Sequence, residues 1–294
     1  MTEKADDKTA VLVQERPFAN RYSNLRRPRL QLTAALGWGL AGTAVLVAVL
    51  APLLAPFDPW QSVAAPFIAP SPTYILGTDD LGRDLLSGII YATRTSIIVG
   101  LSATFIATTI GIVLGAASGF YGGLFDDFLM RFTEFFQVIP RFFLALIAVA
   151  LFEPGLVTIT LVLGFTSWTL TARLLRGQVL SVRERDYVLA ARALGVPNWR
   201  IVWQHILPNT ITPIIVHGSL MVGQIILIEA SLAFLGLGDP NNISWGYLLQ
   251  NAQAFLRVAW WMSFFPGLAV AFTVIGFNLL GDSLRNFLDV RSLY

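Results

Sequence analysis

The residues of this chain whose type and position could do chemistry are ionisable side chains set inside long apolar runs. Glu134 and Arg141 fall within residues 128–152, with Arg131 nearby, and Glu229 falls within residues 213–235. Charge at bilayer depth is costly, so such side chains face a protein interior or a wet cavity. Glu134 and Arg141 are seven residues apart and share a helix face, about 10 Å apart along the axis. Two readings stay open for Arg141. It borders a solute path and attracts a carboxylate, or it pairs with Glu134, with Glu229 or with another subunit.

The polar stretch 181–213 is the second place where residue types and spacing carry information. Ser181 and Glu184 have the spacing of a capping box. Asp186 suits the positive end of a helix dipole. The run 187–194 is rich in helix formers, and Gly195 is placed as a left-handed stop. Pro197 can open a second helix, 198–206, because its missing N–H costs nothing in a first turn, and Pro208 ends it. Two short helices joined by a tight turn result. Ala190 and Ala191 carry no bulk and permit close docking. The element is either an ordered connector or a helix pair that inserts into a cleft on a partner.

Other chemistries are excluded by absence. The chain has no cysteine, so thiol chemistry and disulfides are out. Lysine occurs only at Lys4 and Lys8, so no phosphate-cradling loop with its own lysine exists in the body of the chain. Two histidines, His205 and His217, are too few for a typical zinc site, and no metal site is expected. A net charge of +2 gives nucleic-acid binding no support. No catalytic residue stands out.

The elements that must position these residues are membrane spans. The chain has 294 residues, 55% hydrophobic and 13% charged, with a mean hydropathy of +0.66. A soluble domain carries about 25% charged residues. Charge-free or charge-poor blocks lie at 32–54, 95–125, 128–152, 156–172, 213–235 and 260–280. The first is long enough at about 1.5 Å per residue to cross a hydrocarbon core of about 30 Å. The fold class expected is all-α, a polytopic membrane protein with six transmembrane helices. Residues 1–31 form a polar, basic leader, too long before the first apolar block for a signal peptide. Pro52, Pro56 and Pro59 end the first span, residues 55–94 form a loop, and 85–91 could lie as a short interfacial helix. Gly111, Gly115 and Gly119 leave one face of the second span open to close helix packing. Pro140 kinks the third.

Six spans put both termini on one side, together with the 173–212 loop. That side holds fifteen of the twenty Arg and Lys residues; the opposite loops hold Arg83, Arg94 and Arg257. The positive-inside rule makes the basic side cytoplasmic, with 1–31 and 282–294 as cytoplasmic tails. Trp60, Trp245, Trp260 and Trp261 then fall near the outer interface.

Ala190-Ala191-x-x-x-Gly195, with Leu207-Pro208 following, resembles the EAA loop of binding-protein-dependent ABC importer permeases. The wider stretch 186–216 resembles the dipeptide/oligopeptide/nickel branch. So do Leu76 to Asp84, Glu229 to Gly238 with Ser244-Trp245-Gly246, and Asn278 to Arg285. The similarity runs from about residue 30 to the end and is that of the second, shorter permease type. Two positions depart from the pattern. Leu189 stands where the motif has glutamate, and His205 where it usually has isoleucine. Asp186, one helical turn earlier, is the candidate substitute for the missing glutamate.

The resemblance implies a type I ABC importer permease fold, with a permease core at 95–281. It implies a bacterial inner-membrane protein working with membrane lipid around it, a second homologous permease, two cytosolic ATPase subunits and an extracytoplasmic solute-binding protein. ATP and Mg would be bound by the ATPases and no cofactor by this chain. Residues 181–207 would be coupling helices, with Asp186, Leu189, Ala190, Ala191, Gly195, Pro197, His205 and Pro208 in the docking loop. Glu134, Arg141 and Glu229 are the translocation-path candidates. Asp79, Asp80, Arg83, Asp84 and Trp245 could receive the binding protein, although the aspartates serve equally as helix caps or as partners of Arg83 or Arg94. The implied cargo is a peptide or, in the same class, a nickel complex or an opine. A secondary transporter is the rival class; it would often show inverted repeats, and none is clear between 32–152 and 156–280.

Overall fold

The computed structural model describes residues 23–291, and side chains over 32–288. Residues 1–22 of the expected leader and the last three residues, 292–294, lie outside the described residues, and 23–31 belongs to the first helix instead of the leader. Among the described residues the fold is helical, with two isolated β-bridges, Ser62 to Arg83 and Thr78 to Asp84, in a loop.

Helix α1, Ser23–Leu54, ends two residues before Pro56, because the residue before a proline is pushed out of helical geometry. Helix α2, Leu85–Tyr121, is 37 residues long. Its start corrects the expected boundary: 85–94 is its first part, not loop or a separate interfacial helix. The reason is local. Asp84 is extended and its carboxylate accepts the Ser87 backbone N–H at 2.8 Å, which fixes the first turn there.

The third span is broken rather than kinked. Helix α3, Gly123–Val138, and helix α4, Arg141–Leu151, meet at 84°. Ile139, ahead of Pro140, is extended, as the proline ring demands of its predecessor. Helices α5, Leu156–Ser167, and α6, Thr169–Arg183, run on as one 28-residue apolar path. Helix α10, Thr212–Leu232, continues through a π-helical turn, Ala233–Leu237. After α11, Trp245–Ala252, helix α12 runs from Trp261 to Arg291, so 282–291 prolongs the last span instead of forming a separate tail. Five helices are long and apolar enough to cross a membrane, or six if the bent pair α3–α4 counts as one span.

Glycine decides where helices touch. An added Cβ at Gly111 would stand 2.5 Å from Thr171, at Gly115 2.4 Å from the Ala172 carbonyl oxygen, and at Gly119 2.8 Å from Val179. The expected close-packing face is therefore the seam between α2 and α6. Gly37 and Gly276 do the same where α1 meets α12.

At one end of the bundle, residues 55–84 fold into an ordered cap. Thr78 is fully buried; its hydroxyl donates to the Ala65 carbonyl and accepts from the Ile68 N–H, both at 2.9 Å. The Trp261 indole donates to the Thr78 carbonyl at 3.1 Å and ties the cap to α12. At the opposite end lie the α2–α3 junction and the short helices of 186–210.

Candidate docking hairpin and polar interior

Helix α7, Asp186–Ala193, forms as expected, with Asp186 in its first turn. It ends in a left-handed residue, Gly195, at φ +75°. The Val196 N–H bonds back to the Ala191 carbonyl at 3.1 Å and the Gly195 N–H to Arg192 at 3.0 Å, which is a Schellman closure. The expected capping box does not form. Ser181 lies inside α6, which continues to Arg183, and Glu184 pairs with Arg183 at 2.9 Å. Three buried α6 residues, Leu175, Val179 and Val182, reward that continuation.

Pro197 is the cap of helix α8, Asn198–Ile201, rather than its first residue. The helical path is not stopped before Pro208. It widens into a π-helical turn, Val202–Ile206, where the Leu207 N–H reaches the Val202 carbonyl, and passes into α9, Leu207–Thr210. The widened turn accommodates a proline that has no N–H to give.

The hairpin is anchored by one face. Val188, Ala191, Ile201 and Ile206 join Ala116 and Phe120 of α2 and Leu175, Val179 and Val182 of α6 in one cluster. Ala190 and Ala191 therefore separate: Ala191 is buried within the chain, and Ala190 is exposed. Asp186, Leu189 and Ala190 form an exposed face with Pro197 and Leu194 nearby. His205 is half-buried, its ring centroid 6.5 Å from that of Tyr187. Pro208 lines an apolar groove with Trp199 and Trp203.

At the cap, Asp79 and Asp84 are used locally. Asp79 accepts the backbone N–H groups of Leu81 and Arg83 at 2.9 and 2.8 Å. Burial pushes its carboxyl above the usual range, outweighing those two N–H groups. Asp80 is half-buried, and the Arg83 guanidinium sits 5.1 Å from the Trp60 ring centroid. Trp245 corrects two expectations. It is fully buried, so it is neither an interfacial ring nor a surface for a docking partner. Trp261 is buried too, whereas Trp60 and Trp260 are exposed. The Ser244-Trp245-Gly246 motif gains a physical reading: Ser244 caps α11, Trp245 fills the core, and Gly246 lets α11 lie against the Ala230 carbonyl, 2.6 Å from an added Cβ. Asp239 accepts the Leu156 N–H at 2.8 Å and joins the 238–244 loop to α5. Its partial burial is outweighed by the Asn241, Asn242 and Leu156 donors, which hold its carboxyl below the usual range.

Within this chain Glu134, Arg141 and Glu229 do not pair with one another. Glu134 meets Arg131 at 3.3 Å on an exposed face. Glu229 is 2% exposed and accepts the Ser96 hydroxyl at 3.2 Å, with Ser244 as a further partner. Arg141 pairs with neither. Its guanidinium donates to the Gln224 side-chain oxygen at 3.3 Å. An ion pair the sequence reading missed lies near the hairpin end: Arg176 of α6 grips Asp126 of α3 with two bonds of 2.6 Å, and Ser118 of α2 donates to the same carboxylate. The partners are fifty residues apart and leave no local signal. Gln224 and His217 were also missed, although their seven-residue spacing puts them on one face of α10.

A bundle of five or six apolar spans, with a short anchored hairpin at one end, an ordered cap at the other and polar groups inside, defines a polytopic membrane-transport component. The chain belongs to the family of binding-protein-dependent transport system inner membrane components, which matches it over residues 107–293. It is similar to the dipeptide transport system permease protein of Haemophilus influenzae, 37% identical over 254 residues covering 84% of this chain and 86% of that protein. The dipeptide transport system permease protein of Alkalihalophilus pseudofirmus is 35% identical over 277 residues, 94% and 90% of the two chains. The oligopeptide transport system permease protein of Haemophilus influenzae is 37% identical over 252 residues, 84% and 81%.

Proposed function

We propose that this chain is one of two permease subunits of an ATP-driven importer that passes short peptides into a bacterial cell. It works with a second homologous permease, two cytosolic ATPases that bind ATP and Mg, and an extracytoplasmic solute-binding protein. Both termini and the 184–211 segment face the cytoplasm, which the concentration of Arg and Lys on that side supports. The exposed parts of 55–84 and 238–260, at the other end, receive the binding protein. The peptide cargo rests on the similarity to dipeptide and oligopeptide permeases.

The observation that carries the coupling role is the build of the hairpin. Helix α7 is closed by a Schellman turn and anchored to α2 and α6 through buried Val188 and Ala191, while Asp186, Leu189 and Ala190 stay exposed. A lever must be stiff along its length and free at its tip. ATP binding would draw the ATPases together and move this hairpin with the spans it is packed on. Crosslinking single-cysteine variants over 186–200 to the ATPases tests this. Crosslinks that change with nucleotide are expected; their absence throughout that stretch refutes the coupling role. Co-purification of a second permease and two ATPases separates this class from a secondary transporter, which would take up solute alone and without ATP.

A further inference from the structure

Arg141 stands at the first position of α4, immediately after the break at Pro140. Its partner, Gln224, lies twelve residues into the span that runs from Thr212 to Leu237. At about 1.5 Å per residue it is roughly 18 Å from the near end, close to mid-depth. Among the described residues no carboxylate pairs with Arg141, since Glu134 is held by Arg131 and Glu229 by serines. His217, two turns before Gln224 on the same face, lies within the electrostatic reach of Arg141, and its buried Nε2 has no hydrogen-bond partner. No side chain caps α4, so the positive end of its dipole falls at the same depth. An uncompensated cation beside two polar side chains is not a surface for lipid.

The same face of α10 continues outward as Leu227, Ser231, Phe234 and Leu235. With Phe142, the neighbour of Arg141, these residues line an apolar cavity of about 370 Å³. A cation at mid-depth thus adjoins a hydrophobic recess, both opening on a face that the chain itself leaves half uncovered: Leu227 is 46% exposed and Leu235 56%.

Resting on the reading of the chain as a peptide permease, we infer that Arg141, Gln224 and His217 form a transit site for the C-terminal carboxylate of the peptide, with the adjoining cavity taking its last side chain. Arg141 supplies the charge, Gln224 orients the guanidinium, and His217 offers a second donor. The N-terminus of α4 adds its dipole, as half-helices in other transporters do for anionic groups. One charge-assisted contact of this kind discriminates a substrate that has the charge from one that lacks it by a factor of ten or so.

The complete transporter, reconstituted in vesicles, tests this with two forms of one peptide, free-acid and C-terminally amidated. Each is presented on saturated binding protein, so that differences in capture do not enter. Arg141→Gln is expected to cut uptake of the free acid about tenfold and uptake of the amide less than twofold. Arg141→Lys, which keeps the charge, is expected to restore most of the difference. Equal loss for both forms with Arg141→Gln, or no loss for either, overturns the carboxylate site. Uptake is expressed per complex recovered from the membrane, so that a loss of assembly does not enter. Failure of the wild-type transporter to move either form would overturn the peptide reading itself, and the inference with it.

Discussion

Single side chains in this protein hold helix ends and loop junctions. Asp239 fastens the 238–244 loop to the first turn of α5 through Leu156. Because its donors hold the folded carboxyl below the unfolded value near 3.8, the unfolded state binds the extra proton between the two values. Stability from this group is present above the unfolded value and lost as pH falls through the folded one. Thermal unfolding of the detergent-solubilised protein over a series from pH 5 to 3 should show a steeper loss for wild type than for Asp239→Asn. Parallel curves would mean that the carboxylate contributes nothing there. Asp79 works in the opposite sense. Burial raises its carboxyl, so its charge opposes folding at neutral pH and protonation relieves that cost. The pairing of Arg176 with Asp126 shows why charge positions alone do not reveal partners. The two residues are fifty positions apart, and only the approach of α3 to α6 brings them within 2.6 Å.

At the scale of elements, local sequence rules worked where the chain interacts with its near neighbours. Asp186 in a first turn, Gly195 in a left-handed stop and the small face at Gly111, Gly115 and Gly119 all follow from spacing. They failed where packing overrode them. The Ser181–Glu184 box has the right letters, yet α6 runs through it because Val182 and its neighbours bury apolar surface. Pro208 reads as a stop, yet a π-helical turn carries the chain past it. The hairpin's stiffness can be probed at Gly195. Its position has open space around it, so Gly195→Ala adds no clash and costs only the left-handed backbone, about 1–2 kcal/mol. The expected outcome is a hairpin that frays at α7, read as less solute imported per ATP hydrolysed with overall assembly retained. Unchanged coupling would show that the turn need not be rigid.

Across the whole molecule, the first and last spans lie side by side. Gly37 sits so close to α12 that an added Cβ would be 2.7 Å from the backbone of Leu279 and Leu280. Neither helix backbone can yield, so Gly37→Val must push α1 away, at a cost of about 1–3 kcal/mol. A lower midpoint of thermal unfolding and a lower yield of membrane-inserted protein are expected, and a wild-type midpoint would place α1 elsewhere. By itself the amino-acid sequence determined the class of fold, the motifs and the short helices at 186–206. Those depend on hydrophobic length, on i to i+4 geometry and on turn residues, all of which act within a few residues of chain. Tertiary structure alone decided that Trp245 is core and that Arg141 meets Gln224 and not a carboxylate of this chain. Each of these turns on which helix faces which, a choice made by close packing between segments far apart in the chain.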